Sequence, residues 1–579
     1  MPADFSLTAN LVDIPARRVY PAEVQVRAGR IAAINPLLGA TAGSSSSAKQ
    51  VAASQPTTYL LPGFIDAHVH IESSMLVPTE FARAAVVHGT VATVSDPHEI
   101  GNVLGVAGVH YMLDNAAQTH FKFYFGAPSC VPATTFETAG AEISVAEVEQ
   151  LLDDPRILYL SEMMNFPGIL HGDPACLAKV AAAHARNKPV DGHAPGLRGA
   201  EAARYIAAGI TTDHECFTKQ EALDKLAAGA KISIREGSAA RNFDALYTLI
   251  GEHPGRTMLC SDDKHPDELV TGHINTLVSR AVERGIDLFD VLTAACLTPI
   301  EHYKLDVGQL RVGDPADFVE VDSLTDFHVL RTWINGELVA DHGESLLPRV
   351  EPPPANKFHP RTVSAAELAV PAKGNTLRVI EAIDGQLVTN CVLHPAKTEN
   401  ISSPPPPYSG EGLGEGARPV AVSDPAHDVL KLVVVNRYAN APPAVAFIKN
   451  FGLRQGAIAS SVAHDSHNVI AVGVADTDIA AAINLVMSAH GGLSAASESE
   501  NVALSLPLPI AGLMATGTCA EVAAAYSKLD QQAKAWGSKL RAPYMTLSFM
   551  ALLVIPALKL SDLGLFDGGR FDIVEGFEE

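Results

Sequence analysis

The sequence predicts an α/β chain in which a (β/α)8 barrel is flanked by a small β-domain and followed by a C-terminal α+β domain. Three observations lead there. Eight short apolar, β-branched or aromatic runs occur at residues 63–67, 90–95, 121–125, 157–161, 188–191, 210–213, 231–234 and 257–261, each with the length and composition of a buried strand. Stretches of helical periodicity separate most of them, among them VAEVEQLL, CLAKVAAAHARN, GAEAARYIAAG and KQEALDKLAAG. Histidines and carboxylates gather where the strands end, the face on which such barrels carry their chemistry.

In chain order, residues 1–60 hold short alternating strands (AEVQVRAG, RIAAINP) and then the serine-rich run GATAGSSSSAKQVAASQ, expected to be mobile. The barrel is expected over 61–302. Beyond its eighth strand, VGQLRVGDPADFVEVDSL and HVLRTWINGELVAD are turn-punctuated strands with no helical period, so 303–350 should join 1–60 as one discontinuous β-domain. A proline-rich passage at 350–354 ends it. Residues 365–579 mix strands (VLKLVVVNR, VIAVGV) with a helix (DIAAAINLVMSA), and ISSPPPPYSGEGLGEGARP within them reads as a surface loop or linker. The apolar run at 549–558, interrupted by Pro556, is too short to span a bilayer and reads as a core helix.

Composition narrows the function. The chain has 579 residues, too many for one barrel alone, with 47% hydrophobic and 18% charged residues, as in a well-buried globular enzyme. A formal charge of −23 argues against nucleic-acid or anionic-membrane partners. Seven cysteines, none in a C-x-x-C pair, provide neither a disulfide framework nor a thiolate zinc site. With no secretory pattern at MPADFSLTANLVDIPARR, a reducing cytoplasm is the simplest location.

The chemistry rests on six residues. In PGFIDAHVHIES, His68 and His70 lie two apart on a strand and face the same way, so one cation can take both. Alone, such a pair is equally well read as packed, hydrogen-bonded histidines. Glu162 after the fourth strand, His193 after the fifth, His214 after the sixth and Asp262 after the eighth change that balance. Together they read as a binuclear centre, and four histidines with two carboxylates suit zinc, iron(II) or manganese(II).

LPGFIDAHVHIESSM, HGTVATVSDPHEIGNV, SEMMNFPGIL, DGHAPGL, TDHECFT, IREGSAARN and CSDD, followed by IASSVAHDSHNVIAVG and LPIAGLM, resemble the adenine deaminases of the amidohydrolase superfamily over nearly the whole chain. The resemblance implies hydrolysis of adenine to hypoxanthine and ammonia in purine salvage, with two divalent metal ions, manganese or iron. Glu162 stands where many binuclear amidohydrolases carry a carboxylated lysine and is expected to bridge the ions. Asp262 is expected to bind one ion and to accept the proton of the water that attacks the purine C6. The partners expected are adenine and water, and a homo-oligomer such as a dimer.

Other rim residues are candidates. Glu215 and His98 are expected to carry protons or bind the ring, while Glu99, Asp263, Arg235 and Glu236 either contact substrate or support those that do. His464, Asp465 and His467 in AHDSHN form a compact polar cluster that reads as a loop over the site, an accessory metal site, or a hydrogen-bonded turn. Two other readings remain: another heterocycle deaminase or cyclic amidohydrolase on the same scaffold, or a non-enzymatic descendant, which would be expected to have lost ligands that are all present. Cytidine-deaminase-type chemistry needs an H-x-E and P-C-x-x-C signature that this sequence lacks.

Overall fold

The structure, a computed structural model, describes residues 4–37, 56–401 and 418–578. The serine-rich run at 39–55 and most of the proline-rich segment at 401–419 lie outside the described residues. Eight parallel strands form the centre: β1 (Phe64–Val69), β2 (Thr90–Ser95), β3 (Lys122–Ala127), β4 (Ile157–Met163), β5 (Val190–Gly192), β6 (Thr212–Asp213), β7 (Lys231–Arg235) and β8 (Thr257–Cys260). β1 to β5 make one parallel sheet in sequence order, and β6 to β8 make a second. The sheets curl toward each other at both seams. Asp262 N donates to His68 O at 2.9 Å and His70 N to Asp262 O at 3.2 Å, while Thr211 N donates to Val190 O at 2.8 Å.

Local chemistry accounts for the elements between the strands. Helix Val145–Asp153 starts on a capping box of Ser144 and Glu147, helix Pro174–Ala185 starts on Asp173 with proline at its first position, and helix Lys219–Ala228 is capped by Thr218. Helix Lys219–Ala228 stops at Gly229, whose φ of 113° only glycine adopts without strain. β5 is shorter than the expected 188–191 run because Pro189 has no N–H to give a ladder, and Lys188 spends its ammonium on the Leu152 carbonyl at 2.5 Å. At Gly192 any Cβ would meet Thr212 O at 2.4 Å, so a bare backbone lets β5 and β6 approach just before His193.

An eight-stranded sheet joins both flanks of these parallel strands: Phe5–Asp13, Arg18–Arg27, Arg30–Pro36 and Tyr59–Pro62 from before them, with Phe318–Val321, Val329–Ile334, Glu337–Asp341 and Glu344–Ser345 from after them. A second eight-stranded sheet lies in the C-terminal region, its middle built of Val429–Val435, Val469–Gly473 and Ala457–Ser460, with helix Asp476–Ser488 packed on it. The run at 549–558 is not the helix that its apolarity suggests. Helix Pro543–Ser548 gives way to one 3-10 turn at Phe549–Ala551, Leu552 is already extended, and strand Leu558–Ser561 follows Pro556. Apolar composition drove this segment inside, while its proline set the backbone.

One apolar core runs without a break from barrel residues such as Ile65 and Val94 to C-terminal residues such as Leu513 and Leu560. Each fully buried large side chain there contributes about 1.5–3 kcal/mol. Polar bonds fix the orientation: Ala515 N donates to Met75 O at 2.8 Å, Cys519 N to Glu80 Oε1 at 3.0 Å, and Ser561 Oγ to Phe136 O at 2.7 Å. The loop between Ala457–Ser460 and Val469–Gly473 is thereby held over the carboxyl ends of β1 and β2. Among the described residues no helix is long and apolar enough to cross a membrane.

Candidate metal centre and active site

Strand geometry brings the six residues together. His68 lies one residue from the end of β1 and His70 just beyond it, Glu162 is the last residue but one of β4, and His193, His214 and Asp262 each stand one or two residues beyond β5, β6 and β8. All six are 2% to 4% exposed, so water screens none of them. His68 Nε2 lies 3.2 Å from His70 Nε2, and His70 Nε2 lies 3.3 Å from both Glu162 Oε1 and Asp262 Oδ1. On the other side of Glu162, Oε2 is 2.7 Å from His193 Nδ1 and 3.1 Å from His214 Nε2.

These separations bear on metal binding. A cation about 2.1 Å from each ligand, with bond angles of about 90–109°, sets neighbouring ligand atoms about 3.0–3.4 Å apart. The His68 and His70 nitrogens sit at that spacing. The orientation of His70 suits a ligand, because its Nδ1 lies 3.3 Å from the Asp96 carbonyl and carries the hydrogen there, which turns Nε2 inward. The backbone at Asp262 has a φ of 56°, a left-handed conformation that costs an aspartate free energy and that clusters at functional positions. His68, His70 and Asp262 form one group of potential ligands, and Glu162 joins groups with His68 and His214 and with His70 and His98.

Electrostatics favour cations too. Burial pushes the Glu162 carboxyl up, but His193 and His214 hold it well below the usual carboxylate range. Asp262 is likewise held low against burial, by the Arg235 guanidinium and then His70. Burial and its histidine neighbours push His68 well below the usual imidazole value, leaving it a neutral base. His214 is lowered by burial but lifted by Glu162, to about 9.

Around this centre the structure sorts the remaining candidates. Arg235 forks onto Glu215, with Nη2 to Oε2 at 2.8 Å and Nη1 to Oε1, and its Nη1 also bonds Asp262 Oδ2. Glu215 Oε1 is 3.6 Å from both His193 Nδ1 and His214 Nε2. His98 Nδ1 is 3.0 Å from Asp96 Oδ2 and 3.5 Å from Glu162 Oε1, placing this imidazole beside the centre. Asp263 accepts a bond from Ser73 Oγ at 2.5 Å. Glu236 is not brought to the cluster: it pairs with Arg280 at 2.7 Å and Arg241 at 3.3 Å on the outer side of β7. Glu99, His464 and His467 meet one another, and Asp465 Oδ1 comes within 3.9 Å of His98 Nε2.

Sequence reasoning passed over three supporting residues. Asp66 accepts Ser261 N at 2.9 Å and pairs with His273 Nε2 at 2.8 Å, while His273 Nδ1 meets Thr90 Oγ1 at 2.7 Å, so one buried network ties β1, β2 and the end of β8. Asp96 shares the group of His70, His98 and Glu162. Asp66, two residues before His68 on the same strand face, was detectable by period. His273 was not, because only tertiary folding brings it there. A cavity of about 740 Å³ is lined by Ser129, whose Oγ donates to Glu162 O at 2.5 Å, and by Leu553, Val554 and Phe571, but by none of the six residues themselves.

Comparison with known proteins agrees with this geometry. Residues 59–339 match the amidohydrolase family and residues 415–572 match the adenine deaminase C-terminal domain. An adenine deaminase of Salinibacter ruber is 55% identical over 100% of both chains, and one of Sulfurovum sp. is 52% identical over 98% of this chain and 99% of its own. A solved adenosine deaminase from Xanthomonas campestris is more distant, 17% identical over 60% of this chain and 94% of its own with a TM-score of 0.42, a likeness too loose to inform the site. By these matches the chain belongs to the adenine deaminase family of the amidohydrolase superfamily.

Proposed function

We propose that this chain hydrolyses adenine to hypoxanthine and ammonia in purine salvage, using two divalent metal ions. The observation that carries the reading is identity above half over the full chain to an adenine deaminase, in a molecule whose six strand-end residues converge at coordination spacing. In this reading His68, His70 and Asp262 would hold one ion and His193 and His214 the other, and Glu162, whose Oε1 faces His70 and Oε2 faces His193 and His214, would serve both. Manganese or iron(II) is the assignment, and zinc also suits the donor set. The ions supply a water whose pKa falls toward about 7, a nucleophile at neutral pH.

The protein's part is orientation and proton movement. Asp262 takes the proton of the attacking water, and the Arg235 fork holds Asp262 and Glu215 in fixed relation while it does so. The water's two protons end one on ring N1 and one on the exocyclic nitrogen, the latter passed from Asp262 by way of His98, which lies 3.0 Å from Asp96, so that the C6–N bond breaks with ammonia rather than an amide anion leaving. Burial of the whole set strengthens each of these interactions. The same reading closes the eight strands into a (β/α)8 barrel, supported by the bonds at both seams, with the flanks 1–60 and 303–350 as one β-domain, 61–302 as the barrel and 365–579 as the C-terminal domain. Free thiols, six of seven buried, suit a cytoplasmic location.

The test is to incubate metal-loaded protein with adenine, adenosine, guanine and cytosine and to follow ammonia. Adenine should be deaminated far faster than the others. Adenosine turned over as fast as adenine would refute the substrate assignment.

A further inference from the structure

The C-terminal loop AHDSHN meets the barrel at Glu99, in the first turn of helix His98–Leu104. Glu99, His464 and His467 have the residue types and proximity of a third metal site. Their hydrogen bonds say otherwise. Ala463 N donates to His467 Nδ1 at 3.2 Å, so that nitrogen is an acceptor and the ring proton is on Nε2, which donates it to Glu99 Oε2. A nitrogen carrying that proton has no lone pair for a cation. Glu99 Oε1 accepts in turn from His464 Nδ1 at 2.5 Å, which leaves both carboxylate oxygens engaged.

One atom of this cluster is left over. His464 Nε2 is buried and has no hydrogen-bond partner, the nearest charged atom being Asp263 Oδ1 at 4.0 Å. The ring cannot turn away, since it stacks on Phe549 with centroids 4.5 Å apart and planes 14° apart, and its other nitrogen is tied to Glu99. Asp465 Oδ2, one residue on, is also buried and unpartnered. Buried polar atoms are costly to leave unpaired, and two on adjacent residues, His464 within 4.0 Å of Asp263 and Asp465 within 3.9 Å of His98, mark a place for a polar ligand.

The geometry points to His464 as a substrate-binding residue, its Nε2 contacting a nitrogen of the purine ring, with Glu99 and His467 as positioning residues behind it. The active site is then composite. The barrel supplies ions and proton carriers, and the C-terminal domain supplies base recognition. This rests on the deaminase reading above.

The test pairs protein atoms with substrate atoms in the full-length, metal-loaded protein. kcat and KM are measured for wild type, His464→Asn and His464→Gln on adenine and on its 1-, 3-, 7- and 9-deaza analogues, with inhibition constants where an analogue is not turned over. His464→Asn keeps the bond to Glu99 but loses the Nε2 contact, and should lower kcat/KM for adenine about 10-fold. The analogue lacking the contacted nitrogen should lose about 10-fold in wild type and nothing further in His464→Asn. His464→Gln, whose amide reaches the Nε2 position, should keep part of that coupling, and Glu99→Gln should weaken it without removing it. Two metal ions per chain with no coupling to any ring nitrogen in any variant would overturn the contact. Wild type that leaves adenine intact would fault the deaminase reading instead, and the coupling is then read from binding of the same bases.

Discussion

Two buried carboxylates, Glu162 and Glu99, are each grasped by two histidines, and the two clusters behave as opposites. At Glu162 the histidines follow different parallel strands, and beside it His68 and His70 bring their Nε2 atoms within 3.2 Å of each other. At Glu99 each histidine donates to its own oxygen, and the backbone of Ala463 fixes the tautomer. In the proposed reading cations would complete the first cluster, while in the second the two ring protons satisfy both Glu99 oxygens and leave His464 Nε2 open. Residue type and proximity are alike in both, so hydrogen-bond direction is what separates a metal centre from a recognition element.

Matched substitutions should split the two most widely. Glu162→Gln replaces the oxygen facing one of the ions by an amide nitrogen that cannot ligate, and should lose bound metal together with nearly all turnover. Glu99→Gln should keep two metal ions per chain by elemental analysis and lose less than about 10-fold in kcat/KM. Metal loss in Glu99→Gln, or full metal and turnover in Glu162→Gln, would reverse the contrast.

A smaller effect is expected from Arg235→Lys. An ammonium cannot fork onto Glu215 and Asp262 together, and loss of such an orienting contact costs about 10–100-fold in metal affinity or activity. The readout is metal retention on dilution, beside turnover in saturating metal. No change in either would show that Asp262 holds its position without the fork.

The gentlest probe is pH. Burial lowers His214 but Glu162 lifts it to about 9, so near neutrality a proton competes for the nitrogen that faces the ion. Metal affinity should therefore rise with pH up to about 9 and fall below it. His70 and His193 are lowered by burial but raised overall by their carboxylate neighbours, so they join the same competition. Titration of metal affinity against pH checks this, and affinity independent of pH would contradict the competition.

How much of this was written in the sequence differs between the clusters for a physical reason. Period-2 alternation and strand ends locate His68, His70, Glu162, His193, His214 and Asp262, because each of the six is attached to a regular element whose direction the apolar pattern reveals. The strand-helix alternation was legible on the same ground, while the short β5 depended on Pro189 and Lys188 competing with a strand pattern. The Glu99 cluster joins residues more than 360 positions apart, and Ala463, whose N–H decides the chemistry, carries no side-chain signal at all. The Arg235 fork and the Asp66–His273 pair likewise exist only through tertiary packing. The apolar run at 549–558 shows the converse, since burial was legible there and helicity was not.

The most direct measurement of the central claim is anomalous scattering from a crystal of the manganese-loaded protein. The account predicts two peaks flanking Glu162, one beside His68, His70 and Asp262 and the other beside His193 and His214, and no peak among Glu99, His464 and His467. A peak in the Glu99 cluster, or none at Glu162, would contradict it.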